Sequence, residues 1–439
     1  MRQLPQPTQQ SAHATTTQHR LGHRELVPPK NFSLRVADYH CLCHPFSVPQ
    51  FEPFRALRYS TKYSLADVCA APYDVQSDAD REKYARRSEH NIVHLDLPVG
   101  EDPYRKAAKT LSSWIQSGAL QLDAEPSFTL YRMKFVDSAG RVRETVGVIG
   151  ALQIEEPNSN EVLPHEQTTP KAKTDRLDLT RATQANLSPI WGLSLTPKLS
   201  TALVESGELL GAFTDENGVQ HIVERVTNKA RCEVISKLIA QQPVVIADGH
   251  HRYAISRTYR DENPQLKDAA STLCYINELI DEQLSVAAIH RLYSEVEIGA
   301  LLKQLEKFFE ISDLPNLTPE IIAKMSQNNY LTFIASNGQA KSLTPKPEMF
   351  TSIRNLDSVF LEHALVDIQK SVSYQHGFTE VMTQLKTGKY TAAILIRPVS
   401  VSEIQRTAHE GLLMPPKSTF FTPKLQTGLV MRPLFAEGI

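Results

Sequence analysis

The sequence predicts a mixed α/β (α+β) chain, and three observations carry that prediction. Short runs rich in Val, Ile and Leu, such as "VVIAD" at 244–248 and "AAILI" at 392–396, have the length of buried strands. Between them lie longer stretches whose apolar residues recur every three or four positions, the spacing of one helix face. Of 439 residues, 41% are hydrophobic and 22% charged, enough apolar surface for substantial cores.

The elements follow in order. Residues 1–50 are rich in Gln, Thr, Pro and His and lack apolar periodicity, so they are expected to form a disordered extension. Within it "HCLCH" (40–44) places two cysteines beside two histidines, but a zinc module needs a second ligand pair. Order is expected from "EPFRALRYS" (52–60), followed by "AAPYDV" (70–75), a turn carrying Tyr73 and Asp74 beside Pro72. A helix is expected around 78–89 and a short strand over "IVHLDL" (92–97). Residues 102–120 place Tyr104, Ala107, Leu111 and Trp114 at helical spacing, with Gly118 near the end. "SFTLYRMKF" (127–135) and "RETVGVIGALQI" (143–154) flank "DSAG" and read as a hairpin.

A polar loop is expected over 157–178, then a strand over "SPIWGLSL" (188–195) and helices near 201–210 and 229–241. "VVIADGHHRYAISRTYRDEN" (244–263) reads as strand, turn and helix. "STLCYINEL" (271–279) and "LSVAAIHRLY" (284–293) are expected to close the same sheet. The pattern then restarts: a helix over 298–311, a strand over 330–336, a helix over 358–369 and a strand over 391–398. The predicted organisation is therefore an extension (1–50), a main α/β domain (51–293) and a C-terminal α/β portion packed on it (294–439).

Composition narrows the function. A formal net charge of −2 argues against a nucleic-acid partner, which would call for a concentrated basic excess. No segment approaches the roughly 18 consecutive apolar residues of a membrane span, so no membrane partner is expected. Five scattered cysteines, an odd number, suit a reducing, cytoplasmic setting rather than a disulfide framework.

The turn at 248–252 concentrates the chemistry. A helix start leaves backbone N–H groups without intrahelical partners and carries partial positive charge. Gly249 lets a ligand approach that backbone closely, and such a turn suits a phosphate. Arg252 can grip anionic oxygens as a fork, while His250 and His251 can donate hydrogen bonds or move a proton. Asp248 could cap the helix or hold a magnesium ion. Two other readings stay open: a metal site with histidine ligands, and a purely structural cap. Against the metal, adjacent helical residues such as His250 and His251 do not face the same way. Neither G-x-x-x-x-G-K-[ST] nor G-x-G-x-x-G occurs, so a P-loop enzyme or Rossmann dehydrogenase is not indicated, and "HEQTT" is not H-E-x-x-H.

Two further stretches carry candidates. The segment 162–179 holds His165, Glu166, Lys171, Lys173 and Arg176, a carboxylate base and cations that could close over an anionic ligand. "MPPKSTFFTPKL" (414–425) offers Lys417, Ser418, Thr419 and Lys424 as a second anion-binding wall, or an edge segment docking through Phe420 and Phe421. Cys69 and Trp191 read as core.

Eight stretches in this order, "PFRALRYS", "APYDV", "NIVHLDLP", "EDPYRKAAKTLSSWIQSG", "VLPHEQT", "RATQANLSPI", "ADGHHRYA" and "MPPKSTFFTPKL", resemble the domain-of-unknown-function 1015 family over about residues 51–434. Ala71 stands where the family usually has a second proline. "PHE" followed by "DGHHR" is also similar to the motif pair of the ParB/sulfiredoxin-type free serine kinases, with Glu166 and Asp248 here 82 positions apart. That resemblance implies a ParB/sulfiredoxin-like nucleotide-binding core with an additional α/β C-terminal portion. It further implies Glu166 as general base, with Asp248, His250, His251 and Arg252 handling nucleotide phosphate.

The resulting expectation is a nucleotide-dependent phosphotransferase on a small hydroxyl substrate, a free L-serine kinase using ATP or ADP with Mg2+. Its catalytic residues would be Glu166, His250 and Asp248, the last also the metal ligand. Gly249, His250, His251, Arg252, Lys171, Lys173, Lys417, Ser418 and Thr419 would bind the cofactor. The alternatives are a non-catalytic nucleotide-binding regulatory protein and a metal-dependent hydrolase using His165, Glu166, Asp248, His250 and His251.

Overall fold

Alternation along one strand shows how the molecule is layered. In Val244–Asp248, Val245 and Ala247 belong to one apolar cluster, Val244 and Ile246 to another, and all four are buried. Successive side chains of a strand point to opposite faces, so a continuous apolar run marks a sheet covered on both sides. Burying each such Val or Ile contributes roughly 1.5–3 kcal/mol.

The computed structural model describes residues 48–435 apart from 138, 139, 158 and 165–172, and the backbone only of Lys173 and Thr174. The expected extension, with its "HCLCH", lies almost wholly outside the described residues. The fold is mixed α/β. One sheet runs in the order Val162–Pro164, Val244–Asp248, Ile190–Ser194, Ser271–Glu278, Val142–Gln153, Phe128–Val136, Gln220–Val226, Glu208–Thr214, with Phe51–Glu52 added beside Val142–Gln153. Val162–Pro164 runs parallel to Val244–Asp248, and Ile190–Ser194 parallel to Ser271–Glu278; the other pairings are antiparallel.

A second sheet is antiparallel throughout, in the order Phe309–Asp313, Ala340–Pro345, Leu331–Ala335, Ala392–Leu395, Ile289–Ser294, Ser371–His376. Its two faces pack as separate clusters, one including Phe309, Phe333 and Ile394, the other Leu292, Ile334 and Leu395. Both sheets belong to one compact unit.

The chain then returns to the first sheet. Phe420–Thr422 pairs with Ser285–Ala287, Thr427 bridges Ala70, Met431 bridges Leu57, and Arg432–Pro433 pairs with Ala185–Asn186. Phe421 is 1% exposed and packs on the Trp191 ring at 5.6 Å. This returning strap ties the end of the described chain to its beginning.

Several expected elements hold. The helix Asp78–Arg87 starts at a Ser77–Asp80 capping box, and Pro103–Gln116 begins with its proline at the first position. Other stretches differ. Residues 92–97 form a short helix, Val93–Asp96, because Asn91 accepts from the Val93 N–H and donates to the Asp67 and Cys69 carbonyls. The polar stretch 157–178 contains the strand Val162–Pro164 and the start of the helix Lys173–Thr183. The helix expected over 201–210 is only Leu199–Ala202, and an unforeseen hairpin, Glu208–Thr214 with Gln220–Val226, follows. The stretch 284–293 divides: Ser285–Ala287 pairs with the strap, and Ile289–Ser294 lies inside the second sheet. The helix expected over 298–311 ends at Leu305, and its tail becomes the strand Phe309–Asp313.

Candidate active site

The strand Val244–Asp248 delivers the turn as the sequence predicts, and a local irregularity sets its geometry. Against Ile190–Ser194, Ile246 pairs with Gly192 but Asp248 pairs with Trp191, so Ala247 is skipped in the register. Such a bulge breaks the two-residue alternation and re-aims the next side chain. Gly249 follows with φ +88°, in the left-handed region, and the helix His250–Glu262 begins at once. A side chain at 249 would be strained and would sit 3.0 Å from Ile190 Cγ2 and 3.1 Å from Arg252 Nε. The Arg252 side chain therefore folds back over the glycine.

Arg252 organises the turn. Its Nη2 donates to Asp248 Oδ2 at 2.9 Å, and its Nη1 donates to the Pro189 carbonyl. Lys424 from the strap reaches the other carboxylate oxygen, with Nζ 3.3 Å from Asp248 Oδ1 and 4.3 Å from the centre of the Phe420 ring. Asp248 keeps 25% of its side-chain surface exposed, Arg252 12% and Lys424 14%; His250 and His251 are half-buried. Burial alone would push the Asp248 carboxyl up, but Lys424, then Arg252, with His250 adding, outweigh it and bring it down to about 2. Burial likewise works against the Arg252 charge, and Asp248, with Asp74 behind it, raises the guanidinium above its usual range.

A lowered carboxyl contributes stability that is present above its unfolded value, 3.8, and lost as pH falls through the folded one. Asp248 is thus expected to supply roughly 2 kcal/mol that disappears between about pH 4 and pH 2. Urea unfolding at pH 5 and near pH 2.5 measures it, and Asp248→Asn should flatten that part of the pH profile. An unaltered profile in the variant would show the pairing to be worth little.

Behind the turn lies a second ionic cluster. Arg176 Nη1 donates to Asp96 at both the carbonyl, 2.6 Å, and Oδ1, 3.2 Å, while its Nε donates to Asp175 Oδ2 at 2.7 Å. Tyr104 donates to the other Asp175 oxygen at 2.7 Å. The Tyr73 ring faces both guanidinium groups, 4.4 Å from Arg176 Cζ and 5.9 Å from Arg252 Cζ. Burial raises the Tyr73 phenol and also the Asp96 carboxyl, for which Arg176 only partly compensates.

The structure thus brings Asp248, Gly249, His250, His251 and Arg252 together at one strand end. His165, Glu166 and Lys171 lie outside the described residues, and Lys173 opens its helix with no side chain described. Yet Pro164, two residues before Glu166, pairs with Ile246 on the neighbouring parallel strand, two residues before Asp248. The chain leaves both strands at the same end of the sheet. The described residues between Glu166 and Asp248 include the Lys173–Thr183 helix, the strands Ala185–Asn186 and Ile190–Ser194, the short helix Leu199–Ala202, the hairpin and the Lys229–Ile239 helix.

From the second wall, Lys417 is exposed at φ +60° with its carbonyl accepting from Arg291, and Ser418 is 1% exposed, its hydroxyl on the Pro415 carbonyl at 2.8 Å. Thr419 is also buried. Lys424, seven residues beyond Lys417, is the cation that meets the turn. Asp96 was not among the sequence candidates; nothing local distinguishes it, since its partner Arg176 is 80 positions away. Among the described residues no three His, Cys, Asp or Glu side chains gather as a metal-ligand set, and no helix is long and apolar enough to cross a membrane. Cys69 and Trp191 are core, each 2% exposed, and burial pushes the Cys69 thiol up.

The protein is thus mixed α/β in class, with a partly buried turn of acid, glycine, imidazoles and guanidinium at a strand end of its first sheet. The chain belongs to the family described as "Protein of unknown function (DUF1015)", whose model matches residues 51–359. The match stops short of the strap, although the strap carries "MPPKSTFFTPKL". No curated protein matches the sequence. Among solved structures the chain is similar to a conserved hypothetical protein from Pyrococcus furiosus, with 12% identity, TM-score 0.36, and 63% of this chain and 94% of that one covered. It is also similar to a free serine kinase in complex with AMP, with 13% identity, TM-score 0.35 and coverage of 62% and 89%. A third is SbnI with C-terminal truncation from Staphylococcus aureus, with 12% identity, TM-score 0.36 and coverage of 65% and 87%.

Proposed function

We propose that this protein is a nucleotide-dependent phosphotransferase acting on a small hydroxyl substrate, with free L-serine as the acceptor and ATP or ADP as the donor. One observation carries the reading. The strand before Glu166 and the strand before Gly249 are parallel neighbours in register, so the "PHE" and "DGHHR" segments start from the same sheet end despite their separation in sequence. Phosphoryl transfer asks chiefly for positioning and charge neutralisation, and the turn offers both.

In this assignment Glu166 takes the proton of the attacking hydroxyl. The helix start at Gly249, with His250 and His251, holds phosphate oxygens. Arg252 fixes the turn through Asp248 and Pro189, and Lys424 stands beside it as a second cation on Asp248. Lys171, Lys173 and Lys417 complete the screening. A nucleotide-bound magnesium ion typically takes one or two protein carboxylates and completes its shell with phosphates and water. Asp248 fits that part, provided Lys424 gives up Oδ1 to it.

A thermal-shift series with ADP, ATP and L-serine, singly and paired, tests the proposal. A ligand that binds only the native state raises stability with the logarithm of its concentration over Kd. The expected result is a rise with one nucleotide, a larger one with nucleotide and serine together, and phosphate transfer to serine under the same conditions. A melting temperature indifferent to every nucleotide would remove the basis of the assignment.

A further inference from the structure

The second sheet reaches the turn through one aromatic ring. In Phe420–Thr422, Phe421 is buried against Trp191, so its neighbour Phe420, which is half-buried, points away from that core. The Phe420 ring meets the imidazole of His376 instead, with ring centres 4.2 Å apart and planes inclined by 16°, a stacked pair. His376 ends the edge strand Ser371–His376, opposite Ile289 on the neighbouring strand. Lys424 rests on the same Phe420 ring, its Nζ 4.3 Å from the centre, and the same Nζ lies 3.3 Å from Asp248 Oδ1. The contacts therefore run from His376 to Phe420, to Lys424 and to Asp248, from the edge of one sheet to a strand end of the other.

The lysine stem is flexible, and one contact with a carboxylate does not fix its course. A flat ring beside the ammonium adds a cation–π attraction and narrows where the charge can sit. That ring must itself be held, because an aromatic side chain turns about two torsions, and stacking on a second ring holds it. Among the described residues the His376 imidazole makes no hydrogen bond, so the stack is what it offers. Burial lowers His376 below its usual range, with Glu380 opposing and Lys424 adding to the effect, so the ring is uncharged at neutral pH and does not repel the ammonium. We propose that His376 is a positioning residue: by stacking on Phe420 it keeps that ring against Lys424, and so keeps Lys424 on Asp248. The second sheet thereby supplies part of the site. That the site handles nucleotide rests on the phosphotransfer reading; the placement of Lys424 does not.

The test is trace acetylation of the full chain by acetic anhydride at about pH 8, read by peptide mass spectrometry. Only the unprotonated amine reacts, so a lysine whose charge is held by neighbours labels slowly. In His376→Ala, Lys424 should label roughly five-fold faster, the effect of loosening one cation–π hold. In His376→Phe, which keeps a flat ring, it should stay within about two-fold of the parent. Lys370 serves as reference: it donates to the Leu365 and Ile368 carbonyls just before the same strand, and its rate should not change. His376→Leu, which keeps bulk without a flat ring, takes the place of the alanine variant if that one does not fold. A Lys424 rate unchanged without the ring, or raised equally in His376→Phe, overturns the proposal. So does an equal rise at Lys370, which would mean that the strand has merely loosened. ADP titration of the unaltered chain, done separately, reports on the phosphotransfer reading, so either idea can fail without the other.

Discussion

Arg252→Ala should lower nucleotide affinity by roughly 100-fold, because the guanidinium that fixes the turn and adds its positive charge beside the proposed phosphate site is lost. The structure adds a consequence that local sequence does not show. Arg252 spends its fork on Asp248 and the Pro189 carbonyl, so truncation takes a cation from Asp248, leaving Lys424 on its other oxygen, and removes the donor to that carbonyl. Breaking a half-buried pair in this way is expected to cost about 2–3 kcal/mol of stability as well. The variant should therefore be titrated with ADP and ATP well below its melting temperature, alongside a urea unfolding curve. Arg252→Lys keeps the charge but not the planar fork, and should recover little. Affinity equal to that of the unaltered chain, in a variant that melts earlier, would reduce Arg252 to a structural clasp and leave the phosphate site without its main cation.

Glu166→Gln should act on rate alone. Amide nitrogen cannot take a proton from the acceptor hydroxyl, and removal of a general base typically costs roughly 10²–10⁴-fold in turnover. Nucleotide affinity should stay unchanged, because in the proposed assignment the phosphate oxygens are held by the turn at 248–252 and not by this residue. Single-turnover phosphate transfer at saturating nucleotide, compared with a binding titration, separates the two quantities. A kcat within a few-fold of the parent's would show that proton removal is not this residue's task.

Much of the fold, and the turn at its centre, could be read from local pattern. "VVIADGHHRYAISR" declares itself because strand, glycine and helix follow within a dozen residues and each uses a short-range rule. Pro103–Gln116 was legible for the same reason, with proline at its start, one apolar face and Gly118 after its end. The hairpin at 208–226 carries a local signal too: Asn217-Gly218, with Gly218 at φ +78°, is the dipeptide that tight hairpin turns prefer. It was obscured because Glu208–Thr214 is an edge strand whose residues are mostly exposed and show little apolar alternation.

The rest depended on distance along the chain. Lys424 meets Asp248 across 176 positions and Arg176 meets Asp96 across 80, so neither partner carries a sequence mark of the other. The apolar run at 284–293 marks extended chain, but only pairing with Ala392–Leu395 and Ser371–His376 assigns its second half to the second sheet. Short β-branched runs such as "IVHLDL" are equally ambiguous, and there the Asn91 side chain decided for helix.

The route of the strap has a consequence for cooperativity. Phe420–Thr422 is zipped to Ser285–Ala287, the stretch leading into the second sheet, while two residues later Lys424 neutralises Asp248. Peeling that short ladder open would withdraw a positive charge from the turn. By thermodynamic reciprocity, whatever anion draws on Lys424 must in turn hold the ladder shut. An anion bound at that rim would thereby stiffen the seam between the two sheets.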